Sequence, residues 1–293
     1  MGTIKAIDMH SHYATEEGYL YKGPEAVALA EKIYKTKVSY KTAEQMADDF
    51  RRAGVKVLLD YGFTMDSSNW PISKVKMLHD ATVQMLKAHR DVIIGAWAAI
   101  DPKTGLEGLR ELERCLSMGF TGFLTNPPMI GLPPSDPTFH PFYKLCIEAK
   151  VPVLVCVGYT AWGAGHPAGS GVRLEYAHPR YVDEVAATFP DLTIIAGRPA
   201  WPWQSEMIAV LLHKPNVWNE LHGWSPKYFT DELKWEISHR IQDKVMFGAD
   251  YPLFEYERLF RDWESLGYSQ EILEKVYWKN AQRLFESLGR GLL

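Results

Sequence analysis

Ile4-Lys5-Ala6-Ile7-Asp8-Met9-His10-Ser11-His12 sets a short apolar run directly against a group of polar side chains capable of chemistry. Ile4 to Met9 has the length and near-continuous apolarity of a parallel strand buried on both faces. Runs of the same kind recur at Val55 to Tyr61, Val92 to Ala99, Thr121 to Thr125, Val151 to Val157, Leu192 to Gly197, Val217 to Leu221 and Val245 to Ala249. Amphipathic stretches of helical period lie between them: Ala43 to Ala53, Ile72 to Ala88, Leu106 to Met118, Pro141 to Ala149, Tyr181 to Phe189 and Gln204 to Leu212. Eight strand–helix units predict an α/β fold, a (β/α)8 TIM barrel. The reading makes residues 1–293 a single domain, since no repeat or Gly/Ser-rich linker marks a second one.

Composition narrows the function. The 293 residues are 46% hydrophobic and 23% charged, which suits a folded chain with a sizeable core. With a formal charge of -4 and its 32 Lys and Arg dispersed, the chain lacks the basic footprint that nucleic acid requires. No apolar run approaches the roughly 18 residues that span a bilayer, so no membrane partner is expected. The N-terminus lacks the basic segment, apolar stretch and cleavage site of a signal peptide, which predicts a cytoplasmic protein. Cys115, Cys146 and Cys156 form no CxxC pair, and their odd count argues against a disulfide framework.

In a barrel of this kind, functional side chains stand where the strands stop. The strand ends carry His10 and His12, Arg198, Glu220 and His222, and Asp250. Two positions apart in a strand, His10 and His12 share a face and can approach one cation. Imidazole suits zinc, iron and manganese, and Asp250 would complete such a site while leaving a position open. Two connections are longer than a barrel needs. An insertion at about 13–42 holds Tyr13, Tyr19, Tyr21 and an extra helix at Glu25 to Tyr34. After the fifth strand, the glycine-rich segment 158–171 brings Tyr159 and His166 to the same mouth. With Trp201 and Glu220 they are the substrate-binding candidates.

Asp8-Met-His10-Ser-His12 at the first strand, with Phe247-Gly-Ala-Asp250-Tyr-Pro252 at the eighth, resembles the amidohydrolase superfamily. Phe189-Pro-Asp-Leu-Thr-Ile-Ile195, Trp201-Pro-Trp203 and Lys279-Asn-Ala-Gln-Arg-Leu284 are similar to its amidohydrolase-related branch. That branch holds aminocarboxymuconate-semialdehyde decarboxylase, resorcylate decarboxylases and pyrone-dicarboxylate lactonase. The resemblance runs from Asp8 to Leu284 and implies a divalent metal and a homodimer. It also implies a metal-binding histidine at the end of the fifth strand, where this chain has Cys156, and a histidine at the end of the sixth, where it has Arg198.

Three readings follow. In the first a metal, zinc by expectation, is held by His10, His12 and Asp250 with Cys156 as thiolate, or with His166 or His222 supplying the missing imidazole. In the second the site is metal-independent, and Arg198 is the electrophilic element, unless it merely rests in an ion pair with Glu220 or Asp250. The third is a catalytically silent ligand-binding barrel. The expected function is a hydrolase acting on a small cyclic or aromatic organic acid of lactone or β-keto acid type. Asp250, Arg198 and His222 are its catalytic candidates, with Asp250 activating water and the metal or Arg198 stabilising the oxyanion. Nonoxidative decarboxylation of an aromatic or unsaturated acid is the alternative reaction.

Overall fold

The computed structural model describes residues 4–19, 23–35, 37–60 and 70–293; Tyr21 and Tyr61 lie outside them. Eight parallel strands hydrogen-bond in sequence order: β1 (Ala6–Ser11), β2 (Val55–Asp60), β3 (Ile93–Ala99), β4 (Gly122–Thr125), β5 (Val153–Cys156), β6 (Ile194–Gly197), β7 (Val217–Glu220) and β8 (Val245–Met246). β8 returns to β1 through a looser seam. The Met9 amide donates to Phe247 O at 3.0 Å, the Asp250 amide to His10 O at 2.9 Å and the His12 amide to Tyr251 O at 2.7 Å. One parallel bridge joins Ser11 to Tyr251. The (β/α)8 barrel expected from the sequence is therefore present. β8 stops at Met246 rather than Ala249 because the Phe247 amide turns to Val276 O at 2.9 Å and the chain beyond pairs with β1.

Twelve helices are seen among the described residues: α1 (Pro24–Tyr34), α2 (Ala43–Ala53), α3 (Ile72–Ala88), α4 (Leu106–Ser117), α5 (Pro127–Ile130), α6 (His140–Glu148), α7 (Pro179–Thr188), α8 (Gln204–His213), α9 (Asp231–Ile237), α10 (Tyr256–Glu264), α11 (Gln270–Glu274) and α12 (Asn280–Ser287). None is long and apolar enough to cross a membrane. α2 shows how local chemistry sets an element. Thr42 and Gln45 form a capping box, and Gly54, at φ 68°, ends the helix with its amide on Arg51 O and Phe50 O. The face between buries Met46, Ala47 and Phe50, and burial of a phenylalanine side chain contributes about 1.5–3 kcal/mol.

Alternation along the strands divides the core in two. Ile7, Met9, Leu58, Trp97, Leu124, Leu154, Cys156, Ile195 and Met246 fill the barrel, where Leu284 and Phe285 of α12 join them. Residues such as Val57, Phe123, Val155 and Ile194 face the surrounding helices. With its lower part packed by apolar side chains, the barrel gathers its inward-facing histidines and carboxylates at the carboxyl ends of its strands. Between α3 and α4, His79 Nδ1 meets Glu111 Oε1 at 2.7 Å and Arg114 grips the same carboxylate through Nε and Nη2, both at 2.8 Å.

The two long connections meet above the mouth. α1 arises after β1, and the loop after β5 winds through turns at Pro167–Gly171 and Leu174–Ala177. A Cβ on Gly165 of that loop would lie 2.6 Å from Ile33 Cδ1 of α1. First and fifth strands stand opposite each other in a ring of eight, so this contact spans the opening.

Candidate active site

The site begins with an irregularity in β1. Its pairing with β2 runs Ala6 to Val55, Ile7 to Lys56 and Asp8 to Val57, then shifts so that Ser11 meets Leu59. Strict alternation would place Asp8 on the face of His10 and His12; the extra residue turns Asp8 outward instead. There its carboxylate accepts from Tyr256 OH and Ser11 Oγ, both at 2.6 Å, and from the His10 and Ala249 amides, both at 2.9 Å. Burial raises the Asp8 pKa to about 6 against the pull of these donors. Beyond the bulge, His10 and His12 are directed into the barrel.

His12 Nε2 lies 2.7 Å from Asp250 Oδ1, and His12 Nδ1 lies 3.4 Å from Asp60 Oδ2. Burial disfavours the charged imidazole, yet the hydrogen bond and charge of Asp250 outweigh it and raise the His12 pKa. Burial likewise opposes ionisation of Asp250, and His12 more than offsets it, holding that carboxyl well below the usual range. His10 differs. Its Nε2 is 3.4 Å from Asp60 Oδ2 and its Nδ1 is 3.5 Å from Glu220 Oε1, while its ring stacks on His222 at 3.6 Å. Burial, reinforced by His222, pushes His10 down to about 3, so its imidazole is neutral.

Glu220 ends β7 and His222 stands in the turn that follows, both fully buried. Glu220 Oε1 meets His222 Nδ1 at 2.5 Å and Oε2 accepts the His222 amide at 3.0 Å. Burial opposes the Glu220 charge, but the neighbouring His222 and His10 hold its pKa down at about 2. β6 hands the chain to Arg198 at φ 77°, a left-handed conformation that is rare for such a residue. Its Nη1 is buried without a hydrogen-bond partner among the described residues. Glu220 and Asp250 take their close contacts from histidines rather than from Arg198. A Cβ on Gly223 would come within 3.2 Å of Asp250 Oδ2 and 3.9 Å of Arg198 Nε, so the missing side chain leaves space between base and guanidinium.

Asp60 was not among the candidates drawn from the sequence. It ends β2 as an acid after an apolar run, which is the signal that marked the other strand ends, but the predicted strand ran on to Tyr61. Its Oδ1 is buried and unpartnered, and burial lifts its pKa to about 6. Cys156 lies in the barrel interior beneath the cluster, and burial pushes its thiol up to about 12. His166 is exposed on its loop and stands apart from the cluster. Tyr159 is half-buried, 6.0 Å from Trp201, which is 43% exposed and 5.6 Å from Trp224; the three form an aromatic wall at the mouth. His178 caps α7 through the Arg180 amide.

Two overlapping groups bring cation-binding atoms within 4.8 Å of one another: His10, His12 and Asp250, and His10, Glu220 and His222. Neither includes Cys156. His10 Nδ1, His12 Nδ1, His222 Nε2 and Asp60 Oδ1 are buried with no hydrogen-bond partner among the described residues. Nitrogen and carboxylate donors left unsatisfied in one place fit a divalent cation.

The sequence model of the amidohydrolase family matches residues 7–286, and so covers every strand end just described. The chain belongs to the amidohydrolase family. It is an enzyme of that family, whose members usually bind a divalent metal. Among curated proteins, none matches this sequence. Solved structures share the amidohydrolase fold at low identity. An uncharacterised TIM-barrel protein from Bordetella bronchiseptica is 19% identical with a TM-score of 0.73, and the match covers 98% of this chain and 100% of that one. A dihydroxybenzoic acid decarboxylase from Polaromonas sp. JS666, with bound manganese and an inhibitor, is 17% identical at a TM-score of 0.66, covering 99% and 98%. A probable 2-pyrone-4,6-dicarboxylic acid hydrolase from Acinetobacter baumannii is 14% identical at 0.62, covering 97% and 100%. The decarboxylase and the pyrone-dicarboxylic acid hydrolase are of the kinds found in the branch that the sequence motifs resemble. This amidohydrolase places Asp60, Glu220 and His222 around the first-strand histidines.

Proposed function

We propose that this amidohydrolase is a hydrolase acting on a small cyclic or aromatic organic acid, of lactone or β-keto acid type. The observation that carries the reading is Arg198, whose buried Nη1 lacks a partner while Asp250 Oδ2 stands across the space beside Gly223. Arg198 is half-buried, and a guanidinium nitrogen buried without a partner is costly, so a substrate that brings or develops negative charge there is favoured.

Asp250 Oδ1 is engaged by His12, which leaves Oδ2 facing the gap. A water in that gap would give its proton to Asp250 as its oxygen bonds to the substrate carbonyl carbon. The carbonyl electron pair moves onto oxygen, where Arg198 meets the developing charge. Collapse of the oxyanion expels the leaving group, which recovers the proton from the His12–Asp250 pair. Trp201, with Tyr159 and Trp224 beside it, would form the wall against which a planar substrate lies. His10, His12 and Asp250 are the residues that would hold a divalent cation, zinc in this proposal, which when bound supplies Lewis acidity at the reacting carbonyl. Three free, buried cysteines suit a cytoplasmic setting.

The second reading is nonoxidative decarboxylation, favoured by the same unpartnered guanidinium acting as anchor for a carboxylate and by the decarboxylase among the structural neighbours. A panel of lactones, β-keto acids and hydroxybenzoates, followed for product and for carbon dioxide, separates the two. Hydrolysis without carbon dioxide is expected. Arg198→Lys keeps the charge but loses the planar fork, and should lower kcat/KM for anionic substrates by about 10-fold or more. Turnover by that variant at the wild-type rate would remove Arg198 as the anion-binding group.

A further inference from the structure

Glu220 occupies a chamber made by two glycines, one ending β6 and one just beyond β8. A Cβ on Gly197 of β6 would stand 2.9 Å from Glu220 Oε1 and 3.2 Å from His222 Cε1. On the β8 side, a Cβ on Gly248 would collide with Glu220 Oε2 and lie 2.8 Å from His222 Cβ. Neither glycine is in the left-handed region, so backbone conformation does not explain them. What they provide is room for a carboxylate at the wall of the barrel.

Held there, Glu220 has no solvent exposure and no face open to a substrate. Both of its oxygens are committed to His222, Oε1 to Nδ1 at 2.5 Å and Oε2 to the backbone amide at 3.0 Å, while Oε1 also approaches His10 Nδ1 at 3.5 Å. An ionised carboxylate only accepts, so Nδ1 of His222 must carry the hydrogen, and in the neutral ring Nε2 then carries the lone pair. That Nε2 is buried and unpartnered. The His222 ring in turn lies parallel to His10, with 10° between their planes.

We propose that Glu220 is a positioning residue: from the chamber of Gly197 and Gly248 it fixes His222 as the Nδ1–H tautomer and, through the stacked ring, holds His10 for cation binding. The inference rests on the reading of this cluster as the working site, but not on which substrate is turned over. It reassigns Glu220 from substrate contact to the orientation of other side chains, a task for which carboxylates next to ligating histidines are suited.

Two readouts test it on the full chain without any substrate. Nitrogen-15 NMR of histidine-labelled, zinc-free protein should show His222 as the Nδ1–H tautomer. Competition of zinc with a chromophoric chelator should then compare wild type, Glu220→Gln and Gly248→Ala, with thermal unfolding reporting whether each variant folds. The glutamine offers one acceptor to two donors, so Glu220→Gln should disturb the His222 tautomer and weaken zinc binding by about 10- to 100-fold. Gly248→Ala, which keeps the charge and removes the room, should move both readouts in the same direction. A folded Glu220→Gln with unchanged tautomer and zinc affinity within about threefold of wild type overturns the proposal. Should neither variant fold, the wild-type spectrum still decides, because His222 as the Nε2–H form contradicts the assignment outright. Failure of the hydrolase reading would appear only in the substrate panel and would leave both readouts untouched.

Discussion

Asp250 sits at φ 63° and Arg198 at φ 77°, two non-glycine residues in the left-handed region on either side of one small gap. Such conformations cost on the order of 1–3 kcal/mol each and persist where the surroundings dictate them. The backbone also shows which substitution tests the chemistry cleanly. Asparagine tolerates left-handed φ, so Asp250→Asn keeps shape and conformation while losing the ability to take a proton. It should lower kcat by about 10²-fold or more in a protein that still folds, measured on the substrate that the panel identifies. At this scale much was legible beforehand. His10, His12, Glu220, His222 and Asp250 each stand at the end of an apolar run, and the structure brings them together. Asp60 escaped because a strand read one residue too long hides its terminal acid inside the strand. Cys156 is a different case: sequence position says where a thiol lies, whereas its burial, which raises the pKa to about 12, depends on what packs around it.

Among the elements, β1 does the most for the site, and it does so by departing from regularity. The shift between Asp8 and Ser11 lets Ile7 and Met9 pack inside the barrel and still turns His10 and His12 inward above them. Asp8 and Tyr256 of α10 secure that shift from outside. Tyr256→Phe removes one of the donors on a buried carboxylate, which should destabilise the fold by about 1–3 kcal/mol in urea unfolding and lower activity through the looser bulge. An equal unfolding midpoint for the variant and the wild type would show that Ser11 and the two amides suffice. No periodicity in the sequence announced this bulge, because bulges arise from pairing with a neighbouring strand and leave no composition of their own. The helices were easier. α2 and α3 match their amphipathic stretches end to end, since local period, caps and glycine stops act within a few residues.

The barrel as a whole was readable from eight apolar runs and the spacing between them, while its manner of closure was not. Its outer layer carries one strongly pH-dependent contact. Burial opposes the Glu111 charge, yet His79 and Arg114 pull its pKa from an ordinary 4.5 to about 2. A carboxyl lowered on folding adds stability that is complete above its unfolded pKa and fades as pH falls through the folded one. Wild type should therefore lose about 2–3 kcal/mol from this group between pH 5 and pH 2, and Glu111→Gln should flatten that part of a urea-midpoint against pH curve. Curves of the same slope for both proteins would assign the acid sensitivity elsewhere. The seam between β8 and β1 has a consequence of another kind. Asp8 and Ala249, 241 positions apart, are joined by a hydrogen bond at the same place where His12 meets Asp250. A ribosome must release the chain beyond Asp250 before those partners can meet. A nascent chain with only seven strands formed leaves His12 without its carboxylate partner, so the site is assembled last.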